Sequence, residues 1–123
     1  IAFLNTVKLD HVVWKNAIYS KISQQKFTET VNKHTECRLG KWYFQGAGSE
    51  LYGNSQSFRA IDAPHKLVHD MGREALAVGA YGDVGKMNQH LEAMESASVQ
   101  VATAIERLVS EIMSSSSLNF KMC

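Results

Sequence analysis

The amino-acid sequence predicts an all-α fold, an antiparallel four-helix bundle with an additional short helix that carries Cys37. Three observations predict it. Apolar residues recur at spacings of three and four over long stretches, the period of helices that bury one face. Proline is nearly absent, with Pro64 alone, and glycines gather at 40–53 and 72–85. Strand-like alternation of apolar and polar residues is essentially missing.

The first helix is expected over residues 2–22, where Leu4, Val7, His11, Trp14, Ile18 and Ile22 form one apolar stripe. His11 is the polar member of that stripe, and a buried ring needs a partner. It is either a core histidine bonded to a carbonyl or hydroxyl, or a ligand. Trp14, one turn on, reads as core packing. Residues 23–36 lose the period and read as a loop, with a short turn near 27–31. A short helix over 37–46 follows, burying Leu39, Trp42 and Tyr43, with Gly40 allowing close approach of another backbone. Cys37 in its first turn would feel the positive end of the helix dipole, which favours thiolate. The alternative is a small buried hydrophobe.

Residues 46–54 read as a glycine-rich loop. Gly46-Ala47-Gly48 is no dinucleotide fingerprint, because no strand precedes it and no third glycine completes it. Residues 56–80 read as a helix or a kinked pair through Phe58, Ile61, His65, Val68 and Gly72. Pro64 either kinks it or marks the first turn of a segment begun near Asp62. Residues 83–113 give the clearest helix. Met87, Leu91, Met94, Ser98, Val101, Ile105, Leu108 and Ile112 recur at alternating fours and threes, nearly four heptads of a bundle seam. His90 lies off that seam, on the expected surface. Residues 1–113 are thus one domain, and the Ser-rich residues 114–123 a flexible tail.

Composition bounds the function. The 123 residues carry a formal net charge of +1, so nothing global argues for nucleic acid or an anionic membrane. No apolar run is long enough to span a bilayer, and no signal segment opens the chain. It begins at Ile1, as expected of a piece of a longer protein. Cys37 and Cys123 are the only cysteines, a pattern that fits a reducing, cytoplasmic compartment.

The chemistry gathers around Pro64-His65-Lys66-Leu67-Val68-His69. Two histidines four apart share one helix face and can reach a single metal ion. Taken alone, the pair could equally be two surface histidines. With His11 and Cys37 it makes three imidazole nitrogens and one thiolate sulfur, a tetrahedral set that suits Zn²⁺. Inward side chains at similar heights on different helices of a bundle can meet at one point. His34, with a His-x2-Cys spacing to Cys37, is a rival ligand. Asp62, one turn before His65, is a candidate hydrogen-bond acceptor for that imidazole or a helix cap. No carboxylates line the seam as a di-iron site requires. A zinc hydrolase is disfavoured, because four protein ligands leave no open position and Lys66 stands where the base of His-Glu-x2-His would be.

His11-x2-Trp14, Cys37-x-Leu39-Gly40-x-Trp42 and His65-x3-His69, separated by 22 residues in each interval, resemble the chemoreceptor zinc-binding family. That family is found in bacterial chemoreceptors and diguanylate cyclases. The resemblance implies a homodimeric helical-bundle sensor, not an enzyme, that binds zinc through His11, Cys37, His65 and His69. It also implies that Asp10 tunes the site. The expected setting is a bacterial chemotaxis receptor, acting through the rest of that chain on the chemotaxis histidine kinase and its coupling protein. The expected signal is hypochlorous acid, read at Cys37 as a zinc–thiolate switch, or zinc availability. The alternatives are a zinc-responsive domain of a diguanylate cyclase and a structural dimerisation module stapled by zinc.

Overall fold

A computed structural model describes the backbone of residues 2–122 and the side chains of residues 2–114. The described residues are all-α, with three long helices and three short ones. The long ones are α1 (Ala2–Ser23), α5 (Asp62–Ala80) and α6 (Val84–Met122). Between α1 and α5 lie α2 (Arg38–Phe44), α3 (Ala47–Tyr52) and α4 (Gln56–Arg59). A fourth long helix is not among the described residues; the block of short helices occupies that stretch of chain. The expected tail at 114–123 lies, Ser114 apart, outside the residues whose side chains are described.

Helix α1 contains neither glycine nor proline and buries Leu4, Val7, His11 and Ile18, the stripe expected from its period. It ends where Gln25 turns left-handed at φ 57°. The Lys26 amide then bonds to the Lys21 carbonyl and the Gln25 amide to the Ile22 carbonyl, which satisfies two of the last free acceptors. Residues 24–36 form the expected loop, with a turn at 27–29.

The chain departs from expectation at 46–54, where residues 47–52 form α3 instead of a loop. The cause is tertiary. The Trp42 ring lies so close over Gly48 that a Cβ there would meet it at 2.7 Å. Glycine lowers helix propensity but admits the indole, and packing outweighs propensity over so short a helix. Helix α4 starts at Ser55, whose hydroxyl accepts the Phe58 amide at 3.3 Å. The hydroxyls of Ser55 and Ser57 both donate to the Glu111 carboxylate and so tie α4 to α6. The stretch 56–80 is therefore a pair, and Pro64 sits in the first turn of α5, where its missing N–H costs no helix bond.

A tight turn through Gly82, at φ 79°, joins α5 to α6 as an antiparallel hairpin. This pair makes the most extensive helix–helix interface, and α1 packs on both members. The α6 seam holds as expected. Met87, Met94, Val101, Ile105 and Leu108 are buried, and Leu91 and Ile112 are partly so. His90, off the seam, is half-buried. Among the described residues no helix is long and apolar enough to cross a membrane.

Ile105 is fully buried where α6 faces the core. Ile105→Ala removes buried methyl groups and leaves a cavity, and should cost about 2–5 kcal/mol in urea unfolding with zinc held constant.

Candidate metal centre

One helical turn of α5 sets half of the centre. His65 and His69 fall on the same face, each only 1% exposed, with ring centroids 4.9 Å apart. The inward stripe of α1 delivers His11, whose ring lies 4.8 Å from His65 and 5.8 Å from His69. Trp14, one turn further along α1, packs beside His69 at 4.3 Å and over Gly72. Gly72 is where α1 and α5 meet this closely, since a Cβ there would lie 2.6 Å from the indole.

Cys37 completes the cluster from the N-cap of α2. Its Sγ lies 3.3 Å from His65 Nε2. One potential ligand atom from each of His11, Cys37, His65 and His69 falls within 4.8 Å of the others. The structure thus brings together the four residues singled out in the sequence. His34 stands beside this group, its Nε2 3.7 Å from Asp62 Oδ1. Asp62 accordingly faces His34 rather than His65.

Hydrogen bonds decide which nitrogens point inward. His11 Nδ1–H donates to the Val7 carbonyl at 3.0 Å, and His69 Nδ1–H donates to the Asn32 carbonyl at 2.8 Å. A carbonyl only accepts, so the proton sits on Nδ1 and the Nε2 lone pair is free. Both Nε2 atoms are buried and have no hydrogen-bond partner. Buried polar atoms are nearly always paired. Two orphaned lone pairs beside a cysteine sulfur and a third imidazole therefore call for an electron-pair acceptor, which a metal cation supplies. The carbonyls of Val7 and Asn32 act as the outer groups that fix ring orientation in metal sites. Backbone carbonyls carry no residue signature, so no pattern along the chain marks them.

Electrostatics agree with a cation-seeking site. Burial and the neighbouring imidazoles push His65 down to about 2. Burial pushes His69 down to about 4, and lowers His11 as well. All three rings are therefore neutral, the form that binds metal. Cys37 corrects an expectation. Burial raises its thiol above the usual value, and the amides of Gly40 and Leu39 pull it down without prevailing. The helix start alone does not make a thiolate here; a bound cation would, since coordination deprotonates a thiol.

Asp10, next to His11, has a role its helical position did not reveal. Its carboxylate receives Arg38 Nε at 2.8 Å and the terminal guanidinium nitrogen at 2.6 Å. This fork-to-fork pair joins α1 to the first residue of α2, directly after Cys37. Gly40 fixes the same segment from the other side. A Cβ there would lie 1.8 Å from the His34 carbonyl oxygen, so α2 lies flat on the preceding loop. A cleft of about 380 Å³ opens over the centre, lined by His11, Trp14, Cys37, Arg38 and His69 among others.

The family model of the chemoreceptor zinc-binding domain matches residues 11–76, from the first clustered histidine through the greater part of α5. The chain belongs to the chemoreceptor zinc-binding family. No curated protein and no solved structure matches it. The cofactor of a chemoreceptor zinc-binding domain is zinc, and the donor set fits it. Three imidazoles and one cysteine, deprotonated on binding, would supply the four donors that Zn²⁺ takes in structural sites. The domain is a zinc-binding regulatory module.

Two outcomes check this geometry. Gly40→Ala should destabilise the domain by about 3 kcal/mol or more in thermal or urea unfolding, because the clash is with backbone that has nowhere to go. The metal-free chain should also be acid-sensitive. His65 and His69 titrate lower in the folded chain than their usual 6.5, so the unfolded chain binds more protons on acidification. His11 shifts the same way; Asp10 opposes its shift, and Lys15 adds to it. Stability should be full above pH 6.5 and fall as pH drops from 6.5 toward 4, as followed by urea midpoints in chelator.

Proposed function

We propose that this domain is the regulatory sensor of a bacterial chemotaxis receptor, reading hypochlorous acid at a zinc-bound Cys37, zinc availability, or both. His11, Cys37, His65 and His69 are the zinc ligands in this reading. The observation that carries it is the asymmetry of their supports. His11 and the two α5 histidines sit on long helices and are buried. Cys37 caps a helix of seven residues and is only half-buried. Loss of its sulfur would loosen the start of α2, which Leu39 and the Asp10–Arg38 pair still anchor, and leave the hairpin of α5 and α6 intact. The cleft over Cys37 gives a small oxidant a way in.

Regulation is favoured over catalysis. Four protein donors leave zinc no open position for water, and the Lys66 ammonium between the two histidines is engaged by Asp70 at 2.6 Å. The partner in this reading is a second copy of the domain. Leu9, Val12 and Val13 on α1 and Val99 on α6 leave an apolar strip exposed, with a cleft of about 250 Å³ between the two helices. The output passes through the rest of a cytoplasmic receptor chain to the chemotaxis histidine kinase and its coupling protein.

Purified protein should carry about one zinc per chain by elemental analysis, as a single four-ligand site requires. Cys37→Ser should weaken binding at least tenfold, roughly the smallest loss expected for a direct ligand. Stoichiometric hypochlorous acid should modify Cys37 before Cys123 and the five methionines, read by mass spectrometry. Equal reaction at Cys123 would sink the redox reading. A zinc staple without signalling would leave hydrogen exchange over residues 34–46 unchanged by oxidation.

A further inference from the structure

We propose that His34 is a reserve ligand of the zinc centre, placed to replace Cys37 when its sulfur leaves. This rests on the assignment of His11, Cys37, His65 and His69 as ligands. His34 lies three residues before Cys37, on the loop that leads into α2. Its carbonyl oxygen accepts the Cys37 thiol at 3.5 Å and presses on Gly40, so the two residues belong to one small rigid unit.

The His34 ring already keeps ligand-like company. Its centroid is 5.7 Å from that of His65, while two ligands, His11 and His69, are 5.8 Å apart. It meets His65 edge-on at 81°, much as His69 does at 87°. The side chain is 14% exposed. No hydrogen bond holds the ring among the described residues. Asp62 Oδ1 lies 3.7 Å from its Nε2 and is itself buried without a hydrogen-bond partner.

Asp62 Oδ1 faces Nε2, which leaves Nδ1 as the nitrogen with a lone pair to offer. The carbonyls of Val7 and Asn32 do the same for His11 and His69 with the nitrogens exchanged. His11, His34, His65 and His69 together are four imidazoles, a set that still suits zinc. The net charge of the shell rises by one when an imidazole replaces a thiolate, so the metal is held more weakly but held. Loss of the sulfur then moves the start of α2 without emptying the centre. The signal is a displacement of the segment rather than a release of zinc.

Zinc and Co²⁺ titrations of four proteins test this: wild type, His34→Ala, Cys37→Ala and the double variant Cys37→Ala/His34→Gln. His34→Ala should bind like wild type within about threefold, since its ligand is in reserve. Cys37→Ala should still bind one metal, with a tetrahedral Co²⁺ spectrum that lacks the sulfur charge-transfer band. The double variant should bind at least about tenfold more weakly than Cys37→Ala, because losing a direct ligand costs no less than losing the outer partner of one. Far-UV circular dichroism of each variant shows that the helices persist; Cys37→Ala/His34→Asn repeats the comparison if the glutamine variant unfolds. A double variant that binds as tightly as Cys37→Ala overturns the proposal, as does a tenfold loss in His34→Ala alone. A wild-type protein that binds no zinc instead overturns the underlying site assignment.

Discussion

Three imidazoles have been taken out of water, and two of them are left with lone pairs that nothing in the polypeptide satisfies. That constraint organises the molecule. Desolvating a polar group without a partner costs several kcal/mol at the upper end, and here His11 Nε2 and His69 Nε2 meet it side by side. The backbone has committed Val7 and Asn32 carbonyls to hold those rings in the one tautomer that faces inward. Such an arrangement is costly for a metal-free protein and favourable for a zinc protein. The same burial keeps the histidines neutral and the Cys37 thiol protonated until a cation arrives.

The rest of the fold divides into a rigid frame and a lighter segment. The hairpin of α5 and α6 shares a continuous apolar seam, and α1 closes over it. Against this frame, residues 24–59 are held by apolar packing, with Leu39 and Phe58 in the shared core and Trp42 against Phe3, and by discrete contacts: the Asn32 carbonyl on His69, the Asp10–Arg38 fork, Gly40 against the His34 carbonyl, and Ser55 and Ser57 on Glu111. The centre joins the two parts, with three of the candidate ligands on the frame and one sulfur on the segment. A change confined to one atom, Cys37 Sγ, thus acts at the joint between the two parts.

Much of this was legible in the chain itself. The stripe from Leu4 to Ile22 and the seam from Met87 to Ile112 gave two of the long helices, because helical period is a local property. His65 and His69 declared their shared face for the same reason. Other features were not legible. Residues 47–52 read as loop on their glycines, and only the Trp42 ring lying on Gly48 makes them helical. The thiol of Cys37 read as activated by a helix start, but burial, which no local pattern encodes, prevails.

The sequence by itself determined the helical class, the identity of the four candidate ligands and the family, since these follow from residue types at fixed intervals along one chain. Tertiary structure decided how those ligands meet. It alone chose the Nδ1 acceptors from among all backbone carbonyls, gave Asp10 to Arg38 and Asp62 to His34, and set His34 beside the centre rather than in it. Spacing specifies which side chains share a helix face, whereas distance between helices is fixed only when their surfaces pack.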